Sequence, residues 1–311
     1  MGKISQALRK IQEEKEKESK IQKTVKDSKF VKDNFVEGKE EKKEEISFLR
    51  WKEYFFQNKI FLVSKKDTSG IDLRIITYYD PSSPLSEQYR ILRTNLKSIL
   101  RKIKATHKNI RSSNFASIFT ISSSLRNEGK TITAVNLAMS LASETETKVL
   151  LIDGDLRNGL IHKLLNIEAE PGLSTILTND YEWSVGLHPT KKKNLFVIPR
   201  GKVSSISSEL LSSRKMHIIL EKLREEGFNY IIIDTPPLLS FADAQLVTQF
   251  TDGIIVVVEA NYTKAEVVKK AKELCEQANN KILGFVLTKV DYYTPDFYYY
   301  YYNYKNYKKD V

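Results

Sequence analysis

The densest chemistry in the chain lies in Ser122-Ser-Ser-Leu-Arg-Asn-Glu-Gly-Lys-Thr131. An apolar run, Ala116-Ser-Ile-Phe-Thr-Ile121, precedes it, and a helical pattern from Thr131 to Ala142 follows. Strand, tight loop and helix are the context that turns a Gly-Lys-Thr match into a phosphate-binding loop. Loop amides and a helix N-terminus both aim partial positive charge at an anion. In that arrangement Lys130 reaches the β- and γ-phosphates, and the Thr131 hydroxyl ligates Mg²⁺. The usual G-x-x-x-x-G-K-T begins with Gly, and here that place is Ser124. The tripeptide alone recurs by chance, so its weight rests on the stretches downstream.

Two of these end in carboxylates. In Val149-Leu-Leu-Ile-Asp-Gly-Asp-Leu-Arg157 a strand runs out into Asp153 and Asp155. Both point to one side if the chain stays extended through Gly154. In Tyr230-Ile-Ile-Ile-Asp-Thr-Pro-Pro237 an apolar strand closes on Asp234, the usual Mg²⁺-side aspartate of such sites. Thr131 and Asp234 are therefore expected on the Mg²⁺ side of the site. Each carboxylate taken alone reads equally as a structural ion pair; three beside a phosphate loop do not. A third unusual stretch holds nine of the 16 tyrosines, between residues 292 and 307. Neither a strand nor a helix makes a core of them. One reading is a low-complexity sticky tail; the sharper one is a set of phenol acceptors for phosphoryl transfer.

The elements needed to position these groups alternate. Candidate strands are 116–122, 148–153, 194–199, 229–234, 253–259 and 282–288. Candidate helices are 129–143, 158–166, 172–178, 209–226, 241–250 and 263–279. Continuous apolar runs such as Ile254–Val258 belong to strands covered on both faces. The expected fold is α/β: a doubly wound, mostly parallel sheet with helices on both faces. Its ligand site lies at the carboxyl ends of the strands, where all three loaded stretches meet.

Ahead of the sheet, Tyr78-Tyr-Asp-Pro-Ser-Ser-Pro84 forces an extended entry into a helix capped by Ser83 or Ser86. Glu87, Arg90 and Arg93 share one flank of it, and Tyr89, Leu92, Leu96 and Ile99 another. A surface Glu87–Arg90 pair of little worth is the plain alternative. The formal charge of +11 is concentrated here, in Arg90, Arg93, Lys97, Arg101, Lys102, Lys104, Lys108 and Arg111. Such a run suits nucleic acid, anionic lipid or an acidic protein, or is simply a solvated helix face. Nucleic acid is disfavoured, because no aromatic interleaving or recognised motif accompanies it. The single Cys275 excludes an internal disulfide and reads as a packed thiol. The four histidines lack metal spacing. No apolar run approaches the roughly 18 residues of a membrane span, and the first residues lack a signal-peptide apolar region. The expectation is a cytoplasmic protein that reaches a membrane only through a partner. Four segments are expected: 1–47, polar with a short amphipathic helix over 4–22; 48–78, aromatic-rich; 79–291, the phosphate-loop domain; and 292–311, the tyrosine tail.

Taken together these motifs resemble the bacterial tyrosine kinases of capsule and exopolysaccharide synthesis, of the type whose membrane activator is a separate polypeptide. The resemblance covers roughly residues 79 to 290 and the tail, within the MinD/ParA-related superfamily. Glu87-x-x-Arg90-x-x-Arg93 is similar to the family's oligomerisation motif, and Ser122–Thr131 to its Walker A loop. Ile152–Arg157 is similar to Walker A′, and Ile233–Pro237 to Walker B. The family usually reads Pro-Gly-Glu-Gly-Lys in the loop, where this chain has Arg126-Asn-Glu-Gly-Lys130. Asn127 tolerates a positive φ better than other non-glycine residues, though its side chain is closer to the phosphates.

The resemblance implies ATP and Mg²⁺ as cofactors, with Thr131, Asp153 and Asp234 as the metal set, and transfer to tyrosine. The nucleotide-contact candidates are Ser124, Arg126, Asn127, Glu128, Gly129, Lys130, Thr131 and Thr133. The catalytic candidates are Lys130, Asp153, Asp155 and Asp234, with Asp155 as base for the phenol proton. Tyr298, Tyr299, Tyr300, Tyr301, Tyr302, Tyr304 and Tyr307 are the implied phosphoacceptors, reached between subunits of a homo-oligomeric ring. The implied partners are a membrane-bound polysaccharide copolymerase that activates the kinase and a cognate tyrosine phosphatase. The rival is a MinD/ParA-like positioning ATPase or weak scaffold, which needs neither the tail nor the Glu-x-x-Arg-x-x-Arg helix.

Overall fold

The structure, a computed structural model, describes residues 69–106, 115–179 and 181–290. The expected helix over 4–22, the aromatic segment before residue 69, Lys108, Arg111 and the tyrosines from 292 onward lie outside the described residues. The described residues belong to one unit, which begins at Lys66.

The chain enters through a short helix, α1 (Ile76–Tyr79), and a long one, α2 (Pro84–Thr106). Pro84 occupies the first helical position, where its missing N–H is no loss. Ser83 caps the helix, its hydroxyl accepting the Ser86 amide at 3.2 Å. Then follow β1 (Ser117–Ser123), α3 (Lys130–Leu141), β2 (Val149–Asp153), α4 (Ile161–Leu165) and α5 (Leu173–Thr178). A two-residue β3 (His188–Pro189) leads to β4 (Leu195–Ile198), α6 (Ser207–Leu211), α7 (Arg214–Glu225) and β5 (Tyr230–Asp234). The domain closes with α8 (Asp243–Thr248), β6 (Ile254–Glu259), α9 (Ala265–Gln277) and β7 (Ile282–Thr288).

The sheet order is β3-β4-β2-β5-β1-β6-β7. Every pairing is parallel except the β3–β4 edge. Period-2 alternation splits each central strand between two cores. Phe119, Ile121, Leu151 and Ile232 face α2 and α3. Ile118, Leu150, Ile231 and Ile233 face α5 and α7. A third cluster under α9 includes Cys275, whose thiol is packed and pushed up to about 11 by burial. Nothing polar is required of it there.

Four expectations are corrected. A single helix over 209–226 breaks at Ser212–Ser213, because the Ser213 hydroxyl accepts the Met216 amide and starts a new helix. The expected helix over 158–166 shrinks to Ile161–Leu165, since Asp155 holds the Asn158 amide in a turn. The antiparallel edge at His188–Pro189 carried no strand signal. A domain boundary at residue 79 cuts through real packing: Ile71 and Ile75 are buried in the main core, and the Thr77 hydroxyl donates to Asn136 of α3 at 2.9 Å.

Candidate active site

Parallel register brings the carboxyl ends of β1, β2 and β5 together. Asp234 lies opposite both Asp153 and Ile121, so two acids of distant sequence flank the loop that leaves β1. The loop makes two left-handed steps, at Asn127 (φ 65°) and at Gly129 (φ 91°). Asparagine accepts such a φ with modest strain and glycine with none, so the Asn127 departure is compatible with the loop. Its last step aims the N-terminus of α3 at the site.

Lys130 Nζ lies 3.4 Å from Asp155 Oδ2 and 3.3 Å from Thr131 Oγ1. Thr131 Oγ1 donates to Asp234 Oδ2 at 2.7 Å. Asp153 Oδ2 accepts the Ile161 amide at 3.1 Å, and Asp155 Oδ1 accepts the Asn158 amide at 2.8 Å. Gly159 is required here: a Cβ on it would lie 2.2 Å from Asp153 Oδ1. Burial, reinforced by the charge of Asp234, holds the Asp153 carboxyl well above the usual carboxylate range. Burial raises Asp234 to about 6 against the opposing pull of Lys130 and Thr131. Burial alone would lower Lys130, but the field of the three carboxylates outweighs it and raises the ammonium.

The remaining loop residues divide. Glu128 is fully buried and turned away from the mouth. Its Oε2 accepts the Leu125 amide at 2.6 Å, and its Oε1 accepts the Thr263 hydroxyl and, at 3.4 Å, the Glu259 amide. The Thr288 hydroxyl in turn donates to the Glu128 carbonyl at 2.6 Å. Glu128 thus ties the loop to the ends of β6 and β7. Ser124, the first residue of the loop, is fully buried. Thr133 is a buried residue of α3 whose amide bonds the Gly129 carbonyl at 2.9 Å. Arg126 is exposed, 5.6 Å over the Phe241 ring, and Arg157 lies 4.8 Å from the same ring. Arg157 also pairs at 3.4 Å with the fully buried Asp243, to which Ser208 donates at 2.5 Å.

Sequence reading did not find the anchors Thr263 and Thr288 or the Asp243–Ser208 support. Single hydroxyls in a loop (Thr263), at a strand end (Thr288) and in a short helix (Ser208) carry no local pattern. The Glu87 flank lies on α2. Arg90 Nε donates to Glu87 at 2.6 Å, and both are part-exposed. Arg93 departs from the expected exposed trio: it donates to the Ser140 carbonyl at 2.7 Å and lies 3.4 Å from Glu144, in the seam between α2 and α3.

The donor set suits Mg²⁺, a hard ion taking carboxylate and hydroxyl oxygens. Oδ1 of Asp153 and Oδ1 of Asp234 are buried without a hydrogen-bond partner among the described residues, so acceptor capacity is left for a cation or its water. Fold and site together define a phosphate-loop nucleotide-binding domain. A family described as an AAA domain matches residues 118–283. The chain is 33% identical over 228 residues to tyrosine-protein kinase YwqD of Bacillus subtilis (strain 168), covering 72% of this chain and 89% of that one. It is 35% identical over 206 residues to tyrosine-protein kinase CpsD of Streptococcus pneumoniae serotype 4, covering 66% and 84%. Among solved structures, the chimerical protein CapA2B2 superposes with a TM-score of 0.61 at 32% identity, covering 70% and 91% of the two chains. The kinase domain of Escherichia coli tyrosine kinase ETK gives 0.65 at 29%, covering 73% and 84%. This chain belongs to the bacterial tyrosine-protein kinases of capsule and exopolysaccharide synthesis. Its activity is ATP-dependent phosphotransfer to tyrosine, which sets aside the positioning-ATPase alternative.

Proposed function

We propose that this kinase transfers the γ-phosphoryl of ATP to tyrosines of its own C-terminal segment, Tyr298–Tyr302, Tyr304 and Tyr307, and so regulates polysaccharide polymerisation and export. The observation that carries the site assignment is the convergence of Lys130, Thr131, Asp153, Asp155 and Asp234 on one strand-end crevice. Loop amides and Lys130 hold the phosphates. Thr131, Asp153 and Asp234 would hold Mg²⁺, which would supply charge neutralisation of the phosphates.

Asp155 takes the phenol proton. A phenol has a pKa near 10, so its oxygen needs such an acceptor at neutral pH. Its Oδ1 is fixed by the Asn158 amide, and Lys130 sits at Oδ2. The phenol oxygen attacks the γ-phosphorus, the bond to the β-phosphate oxygen breaks, and ADP leaves. Lys130 stays beside the developing charge.

Glu87 and Arg90 remain at the surface for a subunit contact in a ring, while Arg93 steadies the helix that presents them. Successive phosphates on the tail repel and loosen that ring. The chain works at the inner face of the membrane through a separate membrane activator, and a tyrosine phosphatase resets it. The test is incubation with labelled ATP and Mg²⁺, with and without an activator peptide, followed by phosphosite mapping. Lys130→Met is expected to abolish nucleotide binding and phosphotyrosine together; unchanged phosphotyrosine in that variant would overturn the assignment.

A further inference from the structure

The basic run of α2 is not used by the active site. Its C-terminal half borders a pocket of about 390 Å³ at the amino ends of β1 and β5, the opposite end of the sheet from Lys130. Cations on its wall are Lys97, Arg101 and Lys104; aromatic walls are Phe115, Phe228 and Tyr230. Among the described residues no carboxylate lines it. Lys97 is neutralised by Glu144 at 2.6 Å. Arg101 is exposed and has no ion pair among the described residues. The Lys104 ammonium is recessed and, among the described residues, donates to the Phe115 carbonyl at 2.6 Å. Burial lowers its pKa, with Asp252 opposing and Arg224 assisting; Asp252 itself is paired with Arg224 at 3.2 Å. Among the described residues, therefore, two cations lack a contacting carboxylate at the mouth of an aromatic cavity.

We propose that this pocket binds a phosphotyrosyl residue of the C-terminal tyrosine segment, from the same chain or a neighbouring copy. The chemistry matches on both counts: an aryl ring for the walls, and a dianionic phosphate for Arg101 and Lys104. The volume is at the small end of the roughly 300–1,000 Å³ of small-ligand sites, which fits one side chain rather than a folded partner. A lipid surface fits less well, since a bilayer needs cations on an open face and Lys104 is recessed.

Reach allows it. Tyr304 stands fourteen positions after Val290, up to about 49 Å of extended chain. The seven residues of β1 span only about 23 Å. Docking there would hold a phosphorylated tail away from the crevice that modified it, and would make the far end of the sheet a sensor of product. This deepens the tail reading above and rests on it.

The test uses full-length protein stripped by a phosphatase, without ATP. The probe is a fluorescent synthetic peptide of residues 292–307 phosphorylated at Tyr304. It is expected to bind about tenfold or more tighter than the unphosphorylated peptide, to be displaced by phenyl phosphate and not by Mg·ADP. Arg101→Glu, an exposed change, is expected to weaken it about tenfold or more with an unaltered thermal midpoint, and Lys104→Gln to weaken it likewise. Equal binding of the two peptides, displacement by Mg·ADP, or indifference to Arg101→Glu would each overturn the proposal. So would phosphatidylglycerol-vesicle binding that Arg101→Glu abolishes in a protein that ignores the phosphopeptide; that result gives the face to a membrane. Because the peptide is synthetic, its failure to bind leaves tail phosphorylation standing, and absence of tail phosphosites leaves the binding result standing.

Discussion

Glu128 looks like a nucleotide contact in the sequence and acts as an internal strut in the structure, which makes its substitution informative. Glu128→Ala removes the acceptor of the Leu125 amide and of the Thr263 hydroxyl, plus a longer contact to the Glu259 amide. Hydrogen bonds to a charged acceptor contribute roughly 1.5–3 kcal/mol each. Losing the two short ones costs about 3–5 kcal/mol, part of the unfolded-state hydration being recovered. For a domain of this size each kcal/mol lowers Tm by about 2–4 °C, so a fall of roughly 6–20 °C is expected. Glu128→Gln behaves differently. Its amide oxygen can take the Leu125 amide while its NH₂ donates to the Thr263 hydroxyl, so about 1 kcal/mol is lost. Thermal unfolding of nucleotide-free protein, paired with fluorescent-ATP titration, reads both. Glu128→Ala should lose affinity through loosening of the loop, and Glu128→Gln should keep most of it. Equal losses in the two variants, or an Ala variant of unchanged Tm, would refute the strut.

Further expectations concern Asp234 and α2. Asp234, raised to about 6 by burial, stabilises the nucleotide-free protein relative to the unfolded chain below about pH 4 and loses that contribution as pH rises through about 6. Ionising it in the empty site costs about 3 kcal/mol more than in water, a cost that Mg²⁺ offsets. The Tm gain on adding Mg·ADP should therefore be larger at pH 7.5 than at pH 5, and Asp234→Asn should flatten that difference; a parallel gain in both proteins contradicts it. On α2, Arg93→Ala should destabilise the monomer by about 1–3 kcal/mol in urea unfolding, because it empties a seam contact to Ser140 and Glu144. Glu87→Ala with Arg90→Ala should change unfolding little, about 0–1 kcal/mol, and lower the oligomer seen by light scattering. If Arg93→Ala leaves stability untouched and dissolves the oligomer, its seam contact is not what holds it.

The parts legible in the sequence are those governed by local pattern. Apolar runs ending in Asp153 and Asp234 gave both the strands and the position of the site, because a parallel sheet gathers strand ends without any further information. Asn127 was readable as a left-handed step from its residue type. What stayed hidden is set by contacts across many residues. The Glu128 strut depends on Thr263 and Thr288, separated from it by 135 and 160 positions, and no local spacing encodes such a pairing. Arg93 was misassigned to a free flank because a helical wheel gives direction but not which neighbour covers that direction; α3 does. The break at Ser212–Ser213 was legible in principle, since Ser213 is a good N-cap, yet the apolar periodicity runs across it.

The most direct test of the account mixes two proteins: Lys130→Met with its tail intact, and an active chain truncated after Asp291. The account predicts phosphotyrosine on the Lys130→Met chain, within Tyr298–Tyr307, because the intact site of one subunit modifies the tail of another. Label appearing only when an active site and a tail share one chain would contradict transfer between subunits. Equal labelling of full-length active protein with every tail tyrosine changed to Phe would contradict the tail as substrate.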